Sequence, residues 1–259
     1  MNSIKIFEEQ VKCNIKALGN DRILLDKTLD WIENSAIHKY SYNFRALGRP
    51  IIQYPQDIVI MQEIIWSLKP DLIIETGIAH GGSLVMNASM LALLDICEAI
   101  ECGNTINPAD SKRKVLGIDI DLRRHNAEEI DKHPMSSRIQ IIQGSSIDLN
   151  VIEQVNQIAK SYKKILVCLD SNHTHKHVLS ELNAYAPLVT VGSYCIIFDT
   201  IIEDLPKSLF PDRPWGPGNN PKTAVWHYLK NHDEFQIDKE IQEKLLITVA
   251  PDGFLKRIY

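Results

Sequence analysis

Two aspartates that follow apolar runs, and a histidine between them, are the residues best suited to metal-assisted chemistry. Asp170 follows the run 165–169, and Asp199 follows the run 193–198. If these runs are adjacent strands of a parallel sheet, both carboxylates lie at one edge and offer the oxygen ligands that Mg²⁺ or Ca²⁺ prefers. A bound ion lowers the pKa of a coordinated hydroxyl, and His173 can act as a general base. The pattern predicts Asp170 and His173 as catalytic residues and Asp170 and Asp199 as metal ligands.

The histidines after Asp170 leave a zinc site open as an alternative. Asp170, His173, His175 and His177 form an Asp-x-x-His-x-His-x-His run of possible zinc ligands. If the run enters a helix, His173 and His177 share a face and His175 points away, so at most two histidines join Asp170. The other interpretation gives His175 and His177 solvated or capping roles and makes Asp170 a helix N-cap.

A glycine-rich turn is the second candidate site. The branched apolar run 72–74, typical of a buried parallel strand, is followed by Glu75, Gly77 and the segment His80-Gly81-Gly82-Ser83. Ser83 is predicted to be the N-cap of a helix over 84–96. The pattern fits neither a P-loop nor a dinucleotide motif, and Glu75 would repel a pyrophosphate. S-adenosylmethionine carries both charge signs and suits an acid beside glycine N–H groups; the alternative is an ordinary strand-to-helix turn.

Two further segments at predicted strand ends complete the predicted cofactor site. Asp119 ends a second apolar run, where an acid commonly binds ribose hydroxyls, and Asp121 is the second choice. Gly144 and Ser145 follow a third run, 139–142, and either line an adenine pocket or form a plain β-turn. The predicted cofactor-binding residues are Glu75, Gly77, His80, Gly81, Gly82, Ser83, Asp119, Gly144, Ser145 and Asp170.

The order of predicted elements indicates an α/β fold with a mostly parallel central sheet. Five strands alternate with helices, and a final antiparallel hairpin is predicted from 244–249 and 254–258. Two helices over 3–18 and 21–34 form an N-terminal helical arm or cap, assigned to residues 1–54, ahead of a main domain over 55–259. The Pro/Gly-rich stretch 202–220 is predicted to be a lid loop.

Composition excludes several classes of protein. The chain has 259 residues, 44% of them hydrophobic, and a net charge of −5, so we expect a full core and no nucleic-acid partner. No apolar run reaches the roughly 18 residues of a membrane span and the N-terminus is not signal-like, so a cytoplasmic protein with no membrane segment is expected. An apolar stripe on the first helix predicts a homo-oligomer.

Several motifs together resemble the cephalosporin hydroxylase family, which includes rhamnosyl O-methyltransferases. The matching stretches lie between about residues 45 and 257 and are Leu47-Gly48-Arg49-Pro50, Glu75-Thr76-Gly77, His80-Gly81-Gly82-Ser83, 117–121 with His125-Asn126, Leu169-Asp170-Ser171, His173, 177–179, 185–189, Asp199-Thr200 and 251–255. The resemblance implies a Rossmann-like class I methyltransferase. It would transfer a methyl group from S-adenosylmethionine to a hydroxyl of a sugar or glycosylated small-molecule acceptor.

The resemblance also implies roles for individual residues. The family's first metal ligand falls on Asp170, its general base on His173 and its last ligand on Asp199. The family usually has Glu before that last ligand, whereas this chain has Phe198, so Mg²⁺ would keep two protein carboxylates; Glu203 is near enough in sequence to compensate. A metal-independent methyltransferase and a catalytically inactive S-adenosylmethionine-binding subunit are the alternatives.

Overall fold

A seven-stranded sheet between layers of helices dominates the computed structural model, which describes residues 3–108 and 110–259. The helices are α1 Ser3–Asn20, α2 Arg22–Ile37, α3 Pro55–Leu68, α4 Gly82–Cys102, α5 Arg124–Asp131, α6 Leu149–Ala159, α7 His175–Tyr185, α8 Pro221–Tyr228 and α9 Lys239–Leu245. The strands are β1 Phe44–Ala46, β2 Arg49–Ile51, β3 Leu72–Thr76, β4 Lys114–Asp119, β5 Ile139–Gln143, β6 Ile165–Leu169, β7 Tyr194–Ile197, β8 Phe235–Ile237 and β9 Phe254–Arg257.

The strand order confirms the predicted mostly parallel sheet. The order is β5-β4-β3-β6-β7-β9-β8, with β5, β4, β3, β6 and β7 parallel and β9 antiparallel to both β7 and β8. The chain runs outward from β3 to β5 on one side and from β6 to β7 on the other. The carboxyl ends of β3 and β6 therefore form a topological switch point, which is where ligands bind in open α/β sheets.

Alternating side chains of the strands divide the core into two layers. In β3, Leu72 and Ile74 belong to the cluster formed with α6, α7 and α8, whereas Ile73 belongs to the cluster formed with α3, α4 and α9. All three side chains are fully buried. A strand buried on both faces carries apolar residues at successive positions, and for this reason the branched run at 72–74 identified β3.

Local signals in the sequence explain where several helices begin and end. Helix α3 begins with Pro55, whose missing N–H costs nothing in a first turn, and ends before Lys69, which has a left-handed φ of 50° and precedes Pro70. Helix α8 begins after Asn220, whose side chain forms a capping box with Thr223.

The N-terminal segment contains the two predicted helices and a short hairpin. Helix α1 lies against α9, and Ile32 of α2 packs with Tyr54, Ile201 and Leu205. Strands β1 and β2 pair through a two-residue turn, Leu47-Gly48, in which both residues have positive φ. The boundary at residue 54 between an arm and a main domain stays a prediction.

The predicted hairpin at the C-terminus is wrong in its first strand. Residues 239–245 form α9, and the strand that pairs with β9 is β8 at 235–237. Segment 244–249 does not join the sheet, and its end is held by the buried Asp57, which accepts hydrogen bonds from the Thr248 hydroxyl (2.5 Å) and the Val249 N–H (3.0 Å). The antiparallel strands at the end of the chain are nevertheless present.

Helix α4 departs from the expectation that no segment has the length and apolar character of a membrane span. By length and composition alone α4 meets those criteria, as core helices also do. Leu84, Ala88 and Leu91 of α4 are fully buried in the cluster that covers one face of the sheet. Within the described residues, α4 is the one helix that meets the criteria.

Candidate active site

A cavity of about 660 Å³ opens at the carboxyl ends of the central strands. Its walls come from the turn after β3, the ends of β4, β6 and β7, the segment from α2 to β2, and the loop after β7. The predicted residues that line it are Gly77, His80, Gly82, Ser83, Asp119, Asp170, His173 and Asp199. The predicted residues outside its lining are Glu75, Gly81, Gly144 and Ser145.

Asp170, His173 and Asp199 come together at one side of this cavity. One ligand atom from each residue lies within 4.8 Å of the other two, and His173 Nε2 is 3.2 Å from Asp199 Oδ2. Asp170 directly follows β6, and its N–H donates a hydrogen bond to the Thr76 carbonyl of β3 (2.9 Å). Asp199 directly follows Phe198 beyond β7 and has a left-handed φ of 57°, an uncommon conformation that functional sites often retain.

The electrostatics of these three residues suit a divalent cation. Burial and the nearby Asp199 carboxylate raise the pKa of Asp170 well above its usual range. A cation between the carboxylates would favour the ionised form of both. Two carboxylates match the one or two that Mg²⁺ usually takes from a protein, with water and substrate oxygens supplying its other ligands, so the donor set fits this metal.

The structure separates the histidines of the Asp-x-x-His-x-His-x-His run. His175 contacts Thr223 Oγ1 through Nδ1 (2.8 Å) and His227 Nδ1 through Nε2 (3.3 Å). His177 Nε2 lies 3.0 Å from Ser146 Oγ and 3.1 Å from Ser171 Oγ. Only His173 joins Asp170, so the run does not assemble a zinc site. Helix α7 begins at His175 after Thr174, so Asp170 is not its N-cap.

No third carboxylate joins the cluster from the positions considered in the sequence. Phe198 is 5% exposed and packs in the core beside Cys168. Glu203 accepts hydrogen bonds from the Gly218 N–H (2.7 Å) and from the Asn220 side-chain amide. Glu203 therefore holds the loop after β7 and does not compensate for Phe198.

The glycines after β3 are required by close packing. Gly77 has a φ of 86°, and a Cβ there would lie 2.1 Å from the Asp170 carbonyl oxygen. A Cβ at Gly82 would lie 2.3 Å from the Pro50 carbonyl oxygen, and one at Gly81 would meet Ile130. The glycines thus let this turn lie directly against β2 and the end of β6, beside the cluster of Asp170, His173 and Asp199.

The predicted N-cap at Ser83 is wrong. Helix α4 begins at Gly82, with Gly81 as its N-cap at a φ of 79°. The Ser83 hydroxyl instead donates to the buried Glu75 carboxylate, which also accepts a hydrogen bond from the Asn87 amide (3.0 Å). Burial raises the pKa of Glu75 to about 7, although both hydrogen bonds lower it.

Asp119 holds the glycine turn through backbone N–H groups. Its Oδ2 accepts hydrogen bonds from Ile78 N–H (2.8 Å) and Ala79 N–H (3.3 Å), and its Oδ1 accepts one from Asp121 N–H (2.9 Å). Asp119 and Asp121 both line the cavity. These hydrogen bonds stabilise the turn and fix the Asp119 carboxylate at the cavity wall.

Arg49 and Asn126 both hydrogen-bond to the glycine turn and together form a clamp that holds it. Residue types alone did not predict this role. The Arg49 guanidinium donates to the His80 carbonyl (2.7 and 3.0 Å) and to Asn126 Oδ1 (3.0 Å). The Asn126 amide donates to the Ala79 carbonyl (2.9 Å). Both residues occur in the motifs that carry the family resemblance, but no local pattern links two positions so far apart in the chain.

The fold and the site together define a class of enzyme. A parallel sheet with one antiparallel strand inserted near its edge, a glycine turn at the switch point and an acid after the next strand are features of a class I, Rossmann-like methyltransferase. The family model described as Rhamnosyl O-methyltransferase/CmcI matches residues 38–258, and the chain belongs to this family. It is an S-adenosylmethionine-dependent O-methyltransferase.

Individual relatives agree with this assignment. A rhamnosyl O-methyltransferase of Mycobacterium bovis (strain BCG / Pasteur 1173P2) is 31% identical over 201 residues, covering 76% of this chain and 71% of that protein. A structure of CmcI with Mg and SAM has a TM-score of 0.54 and 19% identity, covering 84% of this chain and 78% of that one. CalS11, a TDP-rhamnose 3'-O-methyltransferase, has a TM-score of 0.50 and 16% identity, covering 89% of each chain.

Proposed function

We propose that the chain methylates a hydroxyl of a sugar or glycosylated small molecule, with His173 as general base and a divalent ion held by Asp170 and Asp199. The observation that carries this proposal is the convergence of these three residues within 4.8 Å in the cavity that the glycine turn also lines. The names of the relatives support a sugar acceptor, since one is a rhamnosyl O-methyltransferase and another a TDP-rhamnose 3'-O-methyltransferase.

The chain's own residues would position the reactants and remove a proton. His173 takes the proton of the acceptor hydroxyl as the oxygen attacks, and its contact with Asp199 (3.2 Å) orients the imidazole. The Trp215 ring packs at right angles to the His173 ring, with centroids 4.8 Å apart, which fixes the imidazole and shields it from water. Bound S-adenosylmethionine would supply the sulfonium methyl group and leave as S-adenosylhomocysteine, and a divalent ion held by Asp170 and Asp199 would lower the pKa of the hydroxyl.

The residues assigned to the cofactor are proposed on the same basis. The residues that line the cavity are Gly77, His80, Gly82, Ser83, Asp119 and Asp170, and Asp119 would contact the ribose. Gly144 and Ser145 lie next to this wall, since the Gly144 N–H donates to the Asp119 carbonyl (2.8 Å). Glu75 and Gly81 act behind the lining, by holding Ser83 and by capping α4.

Metal-independent transfer is a second candidate because Phe198 leaves two carboxylates in the site. Turnover that persists in EDTA at its full rate would favour that candidate. Turnover that falls in EDTA and returns with Mg²⁺ would favour the metal-assisted reaction.

Methyl transfer to defined acceptors tests the proposed function. The purified chain is incubated with S-adenosylmethionine, Mg²⁺ and either TDP-rhamnose or methyl α-L-rhamnoside, and products are detected by mass spectrometry. We expect His173→Ala to abolish turnover with little change in the affinity for S-adenosylhomocysteine. His175→Ala is the control, since His175 contacts α8 outside the cluster. Cofactor binding without turnover on any acceptor would instead indicate an inactive binding subunit.

Self-association is a further proposal, and a cytoplasmic location stays a prediction from the sequence. Helix α1 leaves Ile4 62% and Phe7 64% exposed, while Ile15 on the same stripe is buried. An exposed apolar stripe of this kind favours a homo-oligomer, which sedimentation velocity would detect.

A further inference from the structure

The outer part of the active-site cavity lies between two segments in which only Trp215 has a part in the proposed methyl transfer. Helix α2 and the turn that follows it contribute Ile32 and Lys39 to the lining. The loop after β7 contributes Leu205, Arg213 and Trp215. Ile32 and Leu205 belong to one apolar cluster, so the two segments pack on each other beneath this part of the cavity.

Charge is unequally distributed over the cavity wall. Its acidic side chains are Asp119, Asp121, Asp170 and Asp199, all of which follow or end strands of the sheet. Lys39 and Arg213, by contrast, come from the two outer segments, and neither forms an ion pair with any residue in the described ranges 3–108 and 110–259. The third basic side chain, Arg123, lies on the sheet side just before α5.

Arg213 is held close to the proposed base. Its guanidinium lies over the Trp215 ring, 5.1 Å from the centroid, and the same ring contacts His173. One indole therefore separates a fixed positive charge from the imidazole. Stacking on an aromatic ring orients a guanidinium while leaving its N–H groups free to bind an anion.

We propose that the acceptor sugar carries an anionic group, a phosphate or a carboxylate, beside the ring that is methylated, and that Arg213 and Lys39 bind this group. The inference rests on the proposed function and specifies its substrate class. If the reacting hydroxyl of a sugar ring contacts His173, a substituent on the opposite side of that ring would lie near Arg213. Guanidinium groups form paired hydrogen bonds with both phosphate and carboxylate, whereas a neutral glycoside would leave these two exposed cations to solvent.

Binding of small anions to the full chain tests this inference without turnover. Calorimetric titrations in the presence of S-adenosylhomocysteine compare TDP, thymidine and methyl β-D-glucuronide as probes. Comparing the affinities of TDP and the glucuronide shows whether a phosphate or a carboxylate is the preferred anion. Thymidine is the uncharged reference. The variants are Arg213→Gln, Lys39→Gln and the charge-retaining Arg213→Lys. The control is Lys207→Gln, which removes an exposed charge from the same loop outside the cavity lining.

We expect at least one of the two anions to bind more tightly than thymidine. Its affinity should fall about tenfold in Arg213→Gln, less in Arg213→Lys, and not at all in Lys207→Gln. The affinity in the wild-type chain should weaken as salt increases, because the contacts are between charges at a partly exposed site. Equal binding of thymidine and both anions, or unchanged anion binding in both Arg213→Gln and Lys39→Gln, would overturn the inference.

Failure of the inference and failure of the proposed function give different results. Efficient methylation of methyl α-L-rhamnoside, at the same rate in wild type and Arg213→Gln, would refute anion recognition while supporting sugar methylation. Absence of S-adenosylhomocysteine binding would refute the proposed function itself. TDP-rhamnose turnover whose KM rises in Arg213→Gln at unchanged kcat would support both.

Discussion

Replacing Glu75 with glutamine should remove a specific pH dependence of stability. The Glu75 side chain is 3% exposed and accepts hydrogen bonds only from the neutral groups of Ser83 and Asn87 among the described residues. Burial raises its pKa from 4.5 to about 7. Because the folded pKa lies above the unfolded one, the folded protein binds more protons between these values, and its stability falls as the pH rises through this window.

The size of the effect follows from the change in pKa. Each unit corresponds to about 1.4 kcal/mol, so ionised Glu75 should cost about 3 kcal/mol of unfolding free energy at pH values above 7. The neutral amide in Glu75→Gln avoids this cost. The buried Asn87 Oδ1 has no hydrogen-bond partner, and rotation of the Asn87 amide would present that oxygen to the new amide group.

Urea unfolding of the ligand-free chain at two pH values measures this effect. We expect the unfolding free energies of wild type and Glu75→Gln to lie within about 1 kcal/mol of each other at about pH 5, and the variant to be more stable by about 3 kcal/mol at about pH 8. Comparing the two proteins cancels the contribution of Asp57, whose pKa burial also raises to about 7. A stability difference that is the same at both pH values would refute the assignment of a raised pKa to Glu75.

Two backbone and loop substitutions give further predictions. Gly77→Ala should destabilise the chain by several kcal/mol in urea unfolding and abolish cofactor binding, because its Cβ would lie 2.1 Å from the Asp170 carbonyl oxygen. Gly48→Ala is the control, because Gly48 has a φ of 93° but an added Cβ would meet no atom within 4 Å. It should cost only about 1 kcal/mol of backbone strain. Equal losses of stability in the two variants would refute the packing argument. Asn220→Ala should cost about 2 kcal/mol and speed limited proteolysis at 205–218, because Asn220 caps α8 and binds Glu203. Unchanged proteolysis would show that this residue does not hold the loop.

The sequence was sufficient to predict the edge of the sheet at which the candidate site lies. Strands β3 and β6 are buried on both faces, so each appears as an uninterrupted apolar run that ends in polar residues. Parallel strands place those ends at one edge. This rule is enough to bring Asp170 and Asp199 together before any side-chain geometry is known.

The directions of individual side chains could not be predicted in the same way. Glu75 lies beside the glycine turn in sequence, yet its carboxylate faces Ser83 and Asn87 in the first turns of α4. His175 and His177 are separated by contacts to Thr223 and Ser146, which lie in other elements. Such contacts depend on how α4, α7 and α8 pack on the sheet, and no local spacing encodes that packing.

The clamp of Arg49 and Asn126 illustrates the same limit of local sequence patterns. Arg49 belongs to a hairpin and Asn126 to α5, and Gly82 lets the start of α4 lie against the Pro50 carbonyl next to Arg49. A glycine at position 82 therefore indicates a close contact without indicating its partner. The resemblance to a family drew attention to both residues, but only the structure gives them a shared role.

Metal binding to the cluster of Asp170, His173 and Asp199 tests the central claim most directly. Mn²⁺ is titrated into the chain in the presence of S-adenosylhomocysteine, and the free ion is followed by electron paramagnetic resonance. We predict one bound ion in the wild type, loss of binding in Asp199→Asn, and retained binding in Glu203→Gln, whose carboxylate contacts Gly218 and Asn220 instead. Absence of binding in the wild type, or equal binding in Asp199→Asn, would contradict the assignment of this cluster as the metal centre.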